Sequence, residues 1–238
     1  VSLRTDFILT SEGTTITLFS GTQITFGFTE GAGDASILRE FLEHRGVIAP
    51  GIPVFHLIQE HTNRIHRSDS VPPDTVGDGF LLDSPGTLGI IRTADCTPLF
   101  FWETIHGNAG LLHVGWKGLS LGIVENLLAT LESGNGSSRN VHFYLGPAIE
   151  GDCYPVGEEL LDHFPQDSPA RAGFRHTPGG LLVLDVRDGI TCILRNSGIP
   201  ADQVTRSPIC TFCDPRFPSF RRDGDGCGRI LSFMVRHT

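Results

Sequence analysis

Three short segments carry residue types that do chemistry: Gln59-Glu60-His61, Ala94-Asp95-Cys96 and Leu112-His113-Val114-Gly115-Trp116. His61 and Cys96 are 35 residues apart, and Cys96 and His113 are 17 apart. That is not the spacing of a structural zinc site, where close Cys and His pairs staple a small loop. It suits a catalytic site whose three ligands come from separate elements and leave a fourth position open. Two imidazoles and one thiolate make a borderline-soft donor set suited to Zn²⁺, with Cu²⁺ competing thermodynamically. An ion held this way lowers the pKa of water and supplies a nucleophile at neutral pH.

The same residues support a second chemistry. A cysteine beside a buried strand, with a histidine on a neighbouring strand, is a nucleophile and its base, and Asp95 or Glu60 could orient the histidine. Each residue taken alone also fits an ordinary position, since free cysteine packs as a small hydrophobe. His61 is flanked by His56 and His66. Order along the chain does not separate these readings.

The C-terminal region is crowded with Cys210-Thr211-Phe212-Cys213, Phe220-Arg221-Arg222-Asp223-Gly224 and Gly228-Arg229. Adjacent arginines suit capture of phosphate or carboxylate through bidentate guanidinium contacts. Arg222 beside Asp223 also fits a simple ion pair. Cys210 and Cys213 could be a redox pair or half a zinc site. With no second Cys-x-x-Cys, two packed cysteines are the favoured reading. The sequence has no Gly-x-x-x-x-Gly-Lys-Ser/Thr loop, no dinucleotide-binding Gly-x-Gly-x-x-Gly after a strand and no Gly-x-Ser-x-Gly elbow.

Several elements must position these groups. Residues 14–19 and 23–28 read as a hairpin around Gly21. Ile37, Leu38, Phe41 and Leu42 mark an amphipathic helix stopping at Gly46. Val54 to Ile58 reads as a buried strand, and Ser68 to Gly79 as a loop fit for a mobile lid or rim. Residues 88–91, 99–102, 109–114, 141–145 and 181–184 read as strands. One helix is expected after Gly115 with Ile123, Val124, Leu127, Leu128 and Leu131 on one face, ending at Gly134. Helices are also expected from Glu158 to Phe164 and from Ile190 to Arg195, and a strand near Val204. Strands and helices mix without strict alternation, which predicts an α+β fold with helix-covered sheets. No linker stands out, so residues 1–238 are read as one domain.

Of the 238 residues, 39% are hydrophobic and 19% charged, so a sizeable core can form. The formal net charge of −9 opposes a protein that grips nucleic acid by its phosphates. No apolar run reaches the roughly 18 residues a membrane helix needs. No signal peptide is recognisable; the start at Val1 suggests that a few residues were removed or omitted. Six cysteines without a secretion signal point to reduced thiols in the cytoplasm.

The motifs Thr93-Ala94-Asp95-Cys96-Thr97-Pro98 and His113-Val114-Gly115-Trp116-Lys117-Gly118 resemble the paired core motifs of the laccase-domain family. That family is also called the multicopper polyphenol oxidoreductase or peptidoglycan editing factor family. Leu145-Gly146-Pro147-Ala148-Ile149 with Cys153-Tyr154-Pro155-Val156-Gly157 resembles its next block, and Cys210-Thr211, Ser219 to Gly224 and Gly228-Arg229 its C-terminal signature. The resemblance implies a layered α/β/β/α sandwich with mixed sheets, related to a cysteine-dependent toxin domain. It implies metal ligation, usually of zinc, at His61, Cys96 and His113. It implies purine nucleoside phosphorolysis and adenosine deamination, or alternatively a cytosolic Cys96–His113 amidase that edits peptidoglycan precursors. The expected partners are a purine nucleoside and phosphate, with the chain a monomer or homodimer. In this reading Asp95, Cys96 and His113 are catalytic, and Gln59, Lys117 and Arg222 bind substrate. Lys117 stands where the family usually has arginine, Phe220 where it has tyrosine and Pro155 where it has glutamate. A copper-dependent polyphenol oxidase is disfavoured, because none of the 10 histidines forms a His-x-His pair.

Overall fold

The computed structural model describes residues 4–9, 15–133 and 140–237. In chain order, β1 (Arg4–Leu9), β2 (Thr15–Ser20), β3 (Ile24–Thr29), α1 (Ala35–His44) and β4 (Val54–Phe55) come first. Then follow β5 (Ile65–Arg67), β6 (Gly79–Leu81), β7 (Leu88–Thr93), β8 (Thr97–Glu103) and β9 (Ala109–Val114). The helices α2 (Trp116–Ser120) and α3 (Ile123–Ser133) precede β10 (Val141–Leu145), β11 (Phe174–His176) and β12 (Leu182–Leu184). Last come α4 (Val186–Asn196), β13 (Val204–Arg206), α5 (Phe220–Asp223) and β14 (Ile230–Arg236).

Two six-stranded mixed sheets carry the fold, in the orders β1-β2-β3-β14-β7-β4 and β13-β10-β8-β9-β6-β5. Alternation along each strand sorts side chains into layers. In β8, Phe100 and Trp102 face the other sheet, while Leu99 and Phe101 face helices. In β14, Ile230 and Met234 join the inter-sheet core, while Leu231, Phe233 and Val235 pack on Leu38 and Leu42 of α1. Leu119, Ile123, Val124, Leu127, Ile190 and Leu194 from α2, α3 and α4 cover the second sheet. The layers therefore run α1, sheet, sheet, α2–α4, the α/β/β/α sandwich that the resemblance implies.

The inter-sheet layer is aromatic. The ring of Phe100 lies 4.8 Å from that of Phe26 and 5.9 Å from that of Tyr144, with Phe100 fully buried. Phe100→Ala should lower unfolding free energy by about 3–5 kcal/mol, from lost burial and a residual cavity. Urea unfolding checks this, and a loss below about 1 kcal/mol would show that the two sheets do not share this core.

Several elements differ from the sequence-based expectation. β14 runs through the middle of the first sheet, although the last strand expected from the sequence is the one near Val204. Both faces of β14 are covered, so its apolar residues show no period-2 alternation. The strand expected over 54–58 is only Val54–Phe55, with Ile58 forming a single bridge to Val76. The helix expected after Gly115 is two helices, because Gly122 adopts φ +80 between them. Its expected stop at Gly134 lies outside the described residues. Glu158–His163 is a 3-10 helix. Asp34 caps α1 by accepting from the N–H groups of Ser36 and Ile37, and the helix ends before Gly46 as its spacing predicts.

Candidate metal centre and active-site cavity

β7 and β8 lie in different sheets, and the tight connection between them carries Asp95 and Cys96. His113 sits near the end of β9, paired with Pro98 across the ladder. His61 comes from the segment between β4 and β5. These three elements bring His61, Cys96 and His113 together, with one ligand atom from each lying within 4.8 Å of the others. The Cys96 Sγ is 3.7 Å from His61 Nε2, and the two imidazole rings lie edge to face at 4.8 Å. Gly115 makes this closeness possible. A Cβ there would fall 2.8 Å from His61 Cδ2 and 2.9 Å from Cys96 Sγ.

Asp78, just before β6, fixes the centre. Its fully buried carboxylate accepts from His113 Nδ1 at 2.8 Å, leaving Nε2 of that ring as the free donor atom. The same carboxylate accepts from the backbone N–H of His61 at 3.0 Å and of Thr62 at 2.6 Å. It also accepts from the Thr62 hydroxyl at 2.7 Å. One acid thus orients one imidazole and pins the turn that presents the other, as carboxylates do behind metal-binding histidines. A mixed N,N,S set with fixed ring orientation and an open side fits a tetrahedral ion.

Without an ion, the groups polarise one another. Burial opposes ionisation of Cys96, but the charge of His113 and hydrogen bonds from His113 and His61 bring its thiol down to about 6. Burial likewise pushes His113 down, but the Cys96 thiolate and Asp78 raise it to about 9. In the metal-stripped protein, iodoacetamide should therefore still modify Cys96 near pH 7 and lose rate only below about pH 6. Peptide mass spectrometry follows this residue by residue; a midpoint near the ordinary thiol value of about 8.5 would contradict the coupling.

The centre forms the floor of a cavity of about 650 Å³. Tyr154, Trp116 and Phe220 give it aromatic walls, and Arg92, Arg221 and Arg229 line it with cationic groups. The Arg221 guanidinium lies over the Tyr154 ring at 4.6 Å and donates to the Pro155 carbonyl at 3.0 Å. Among the described residues, three non-glycine residues take positive φ, namely His61 (59°), Asp74 (64°) and Asp95 (82°). All three line this cavity, so among the described residues left-handed backbone at non-glycine positions is confined to its wall.

Of the residues singled out in the sequence, Gln59, His61, Asp95, Cys96 and His113 line the cavity. Gln59 exchanges two hydrogen bonds with the backbone of Arg92, both 2.8 Å. Asp95 accepts from the Thr211 hydroxyl at 2.6 Å and from the Arg221 N–H at 2.7 Å, which ties the β7–β8 turn to the start of α5. Lys117 lies outside the cavity lining, its Nζ 5.6 Å from the Trp116 ring. Arg222 lies outside it as well. Its guanidinium donates to the carbonyls of Thr211 and Phe217 and pairs with Asp223, so the arginine presented to the cavity is its neighbour Arg221.

Sequence reasoning passed over Asp78, Tyr154, Arg92 and the choice of Arg221. The available signal for Asp78 was an acid between two glycines at the mouth of the apolar run Phe80-Leu81-Leu82. The segment from Ser68 to Gly79 that contains it is a rim held in place. Asp74 N–H donates to His56 O at 3.2 Å, Gly77 N–H to Ile58 O at 3.0 Å and His113 N–H to Asp78 O at 2.7 Å.

Residues 35–237 match the sequence model of the family described as multi-copper polyphenol oxidoreductase laccase. The chain belongs to that family. Members of the family to which it is similar include the purine nucleoside phosphorylase YlmD of Geobacillus stearothermophilus, 32% identical over 165 residues. That match covers 67% of this chain and 60% of the relative, so the chain spans about three-fifths of the YlmD protein it matches. The purine nucleoside phosphorylase Rv2149c of Mycobacterium tuberculosis is 31% identical over 188 residues, covering 78% of this chain and 73% of its own. The fold is that of the Geobacillus stearothermophilus YlmD crystal structure, with a TM-score of 0.81 at 23% identity over 99% of this chain and 100% of that one. The Bacillus licheniformis protein YfiH superposes with a TM-score of 0.79 at 25% identity, over 92% of this chain and 96% of the other. No helix among the described residues is long and apolar enough to cross a membrane.

Proposed function

We propose that this cavity is the active site of a zinc-dependent purine nucleoside phosphorylase that also deaminates adenosine. The observation that carries the reading is the convergence of His61, Cys96 and His113 at the floor of a cavity lined by three arginines, in a chain of net charge −9. The names of the relatives support the phosphorylase part of this reading.

His61, Cys96 and His113 would hold the ion, which when bound supplies Lewis acidity beside the reacting atoms. Arg221, with Arg92 and Arg229, is suited to hold phosphate, since guanidinium matches its oxygens. Tyr154, Trp116 and Phe220 offer faces on which a purine can stack. In phosphorolysis a phosphate oxygen bonds to C1′ as the C1′–N9 bond breaks. The bond electrons go to the purine, which takes up a proton, leaving free base and ribose 1-phosphate. Positioning the two reactants is the larger part of what the chain contributes. Asp95, with both carboxylate oxygens engaged, holds the β7–β8 turn against α5 and is assigned to positioning rather than proton transfer.

Inosine and phosphate incubated with zinc-loaded protein should give hypoxanthine and ribose 1-phosphate in equal amounts. A chelator should abolish turnover, and zinc should restore it. Release of base at an undiminished rate without phosphate would overturn the reading. Arg221→Ala should raise the KM for phosphate roughly tenfold to a hundredfold, the worth of one charged hydrogen bond, and change kcat less. An unchanged KM would move the phosphate site elsewhere.

One geometry favours a second reading. Asp78, His113 and Cys96 line up as an acid, an imidazole and a thiol, the arrangement of a cysteine amidase acting on peptidoglycan precursors. Full activity in chelated protein, lost on alkylation of Cys96, would select it.

A further inference from the structure

We propose that Cys153, Cys210 and Cys213 form a second metal site, for a thiophilic cation of the zinc or copper(I) type, which braces one wall of the cavity. The pairing of Cys210 with Cys213 is half of a zinc motif, and the fold supplies the missing thiol. Cys153 comes from the 3-10 turn Gly151–Cys153, about sixty positions earlier in the chain. The three sulfurs all lie within 4.8 Å of one another, and Cys153 and Cys213 are 3.2 Å apart. Thiolates around one ion at about 2.3 Å would sit roughly 3.8–4.0 Å apart, within the range these atoms already span. Soft thiolate sets select such cations.

A second observation points to the same ligand. The Cys210 Sγ, buried, accepts from the Glu150 N–H at 3.4 Å. A backbone donor on this buried sulfur favours its thiolate form. Arg187 provides a countercharge. Its fully buried guanidinium interacts electrostatically with Cys210, its Nε has no hydrogen-bond partner and its Nη2 is 3.5 Å from the Glu150 carboxylate. Three thiolates and a divalent ion carry one net negative charge, which Arg187 offsets. Cys213 is exposed, giving the ion an entry path and leaving a fourth position to water.

The site joins the two segments that build the cavity wall. Cys153 precedes Tyr154, and Cys210 precedes Thr211, whose hydroxyl holds Asp95. Without a cation these segments meet through single bridges and isolated hydrogen bonds, such as Ala148 with Cys210.

Cadmium is the probe. Protein reduced and handled without oxygen is loaded with Cd²⁺, desalted, and measured for cadmium per chain and for thiolate-to-cadmium ultraviolet absorption. The parent should retain two ions. Cys96→Ser, which removes the sulfur of the His61–Cys96–His113 centre, should retain one, with the absorption of three thiolates. Adding Cys213→Ser, an exposed position that does not threaten folding, should weaken that remaining ion at least tenfold, and Cys153→Ser should do the same. No retained cadmium in the Cys96→Ser chain overturns the proposal. So does retention unaffected by Cys213→Ser and Cys153→Ser. Cadmium lost from the Cys96 centre alone bears on the proposed function and not on this site.

Discussion

Cys96→Ala should reduce nucleoside phosphorolysis by at least about a thousandfold while the chain folds as its parent does. The expectation follows from which groups would hold the ion. Removing the sulfur leaves two imidazoles, one of them presented by a turn in left-handed backbone at His61. Two neutral nitrogens bind zinc far more weakly than a set including thiolate, so the site empties at ordinary metal concentrations. Loss of the Lewis acid removes several kcal/mol of transition-state stabilisation, which converts to a thousandfold or more. Stability should hardly change, because Cys96 faces the cavity and an alanine fits where it stood. Steady-state kcat/KM at saturating zinc, with circular dichroism as the folding control, checks the result. A variant with near-parental turnover would exclude Cys96 as ligand and as nucleophile together.

Asp78→Ala should be the most damaging single change behind the cavity, lowering stability by about 3–5 kcal/mol and metal affinity roughly tenfold to a hundredfold. The carboxylate is fully buried and accepts from the backbone N–H groups of Glu60, His61 and Thr62, the Thr62 hydroxyl and His113 at 2.6–3.3 Å. Truncation strands those donors away from water, which carries a larger penalty than the bonds themselves are worth. Burial pushes the Asp78 carboxyl up, but hydrogen bonds from His113 and Thr62 outweigh it and leave it below the ordinary carboxylate value. Its stabilisation is therefore complete above the unfolded value near pH 4 and fades as pH falls through the lower folded value. Urea unfolding between pH 3 and pH 7, with metal titration at pH 7, measures both effects. Asp78→Asn keeps the shape but turns an N–H donor towards groups that donate, so it should also weaken metal binding. A stable, fully metal-binding Asp78→Ala chain would show that the ligands orient themselves.

The layering was readable from residues 16–28, 88–102 and 109–114, where apolar residues alternate or run continuously between turn signals. Strand β14 was not. It has apolar neighbours on both faces, and the surrounding arginines and glycines suggest a tail rather than the centre of a sheet. The three ligands could be named from Cys96, His113 and His61, but spacing alone left them as ordinary core residues or a nucleophilic pair. What joins them is tertiary. Asp78 lies in a stretch rich in Gly, Pro and Asp that reads as a loop, and it becomes informative only once β6 pairs with β9. The choice between Arg221 and Arg222 depends on which way a four-residue helix faces, which two adjacent identical residues cannot reveal. Cys153 belongs with Cys210 and Cys213 only because the residues after β10 fold back on the Cys210 turn.

Anomalous scattering at the zinc absorption edge, from crystals of the zinc-loaded protein, tests the metal centre most directly. One peak should lie between His61, Cys96 and His113, about 2.3 Å from sulfur and about 2.0–2.1 Å from one nitrogen of each ring. A zinc-loaded protein with no peak there, and with the Cys96 thiol and His113 Nε2 bonded only to each other, would contradict it.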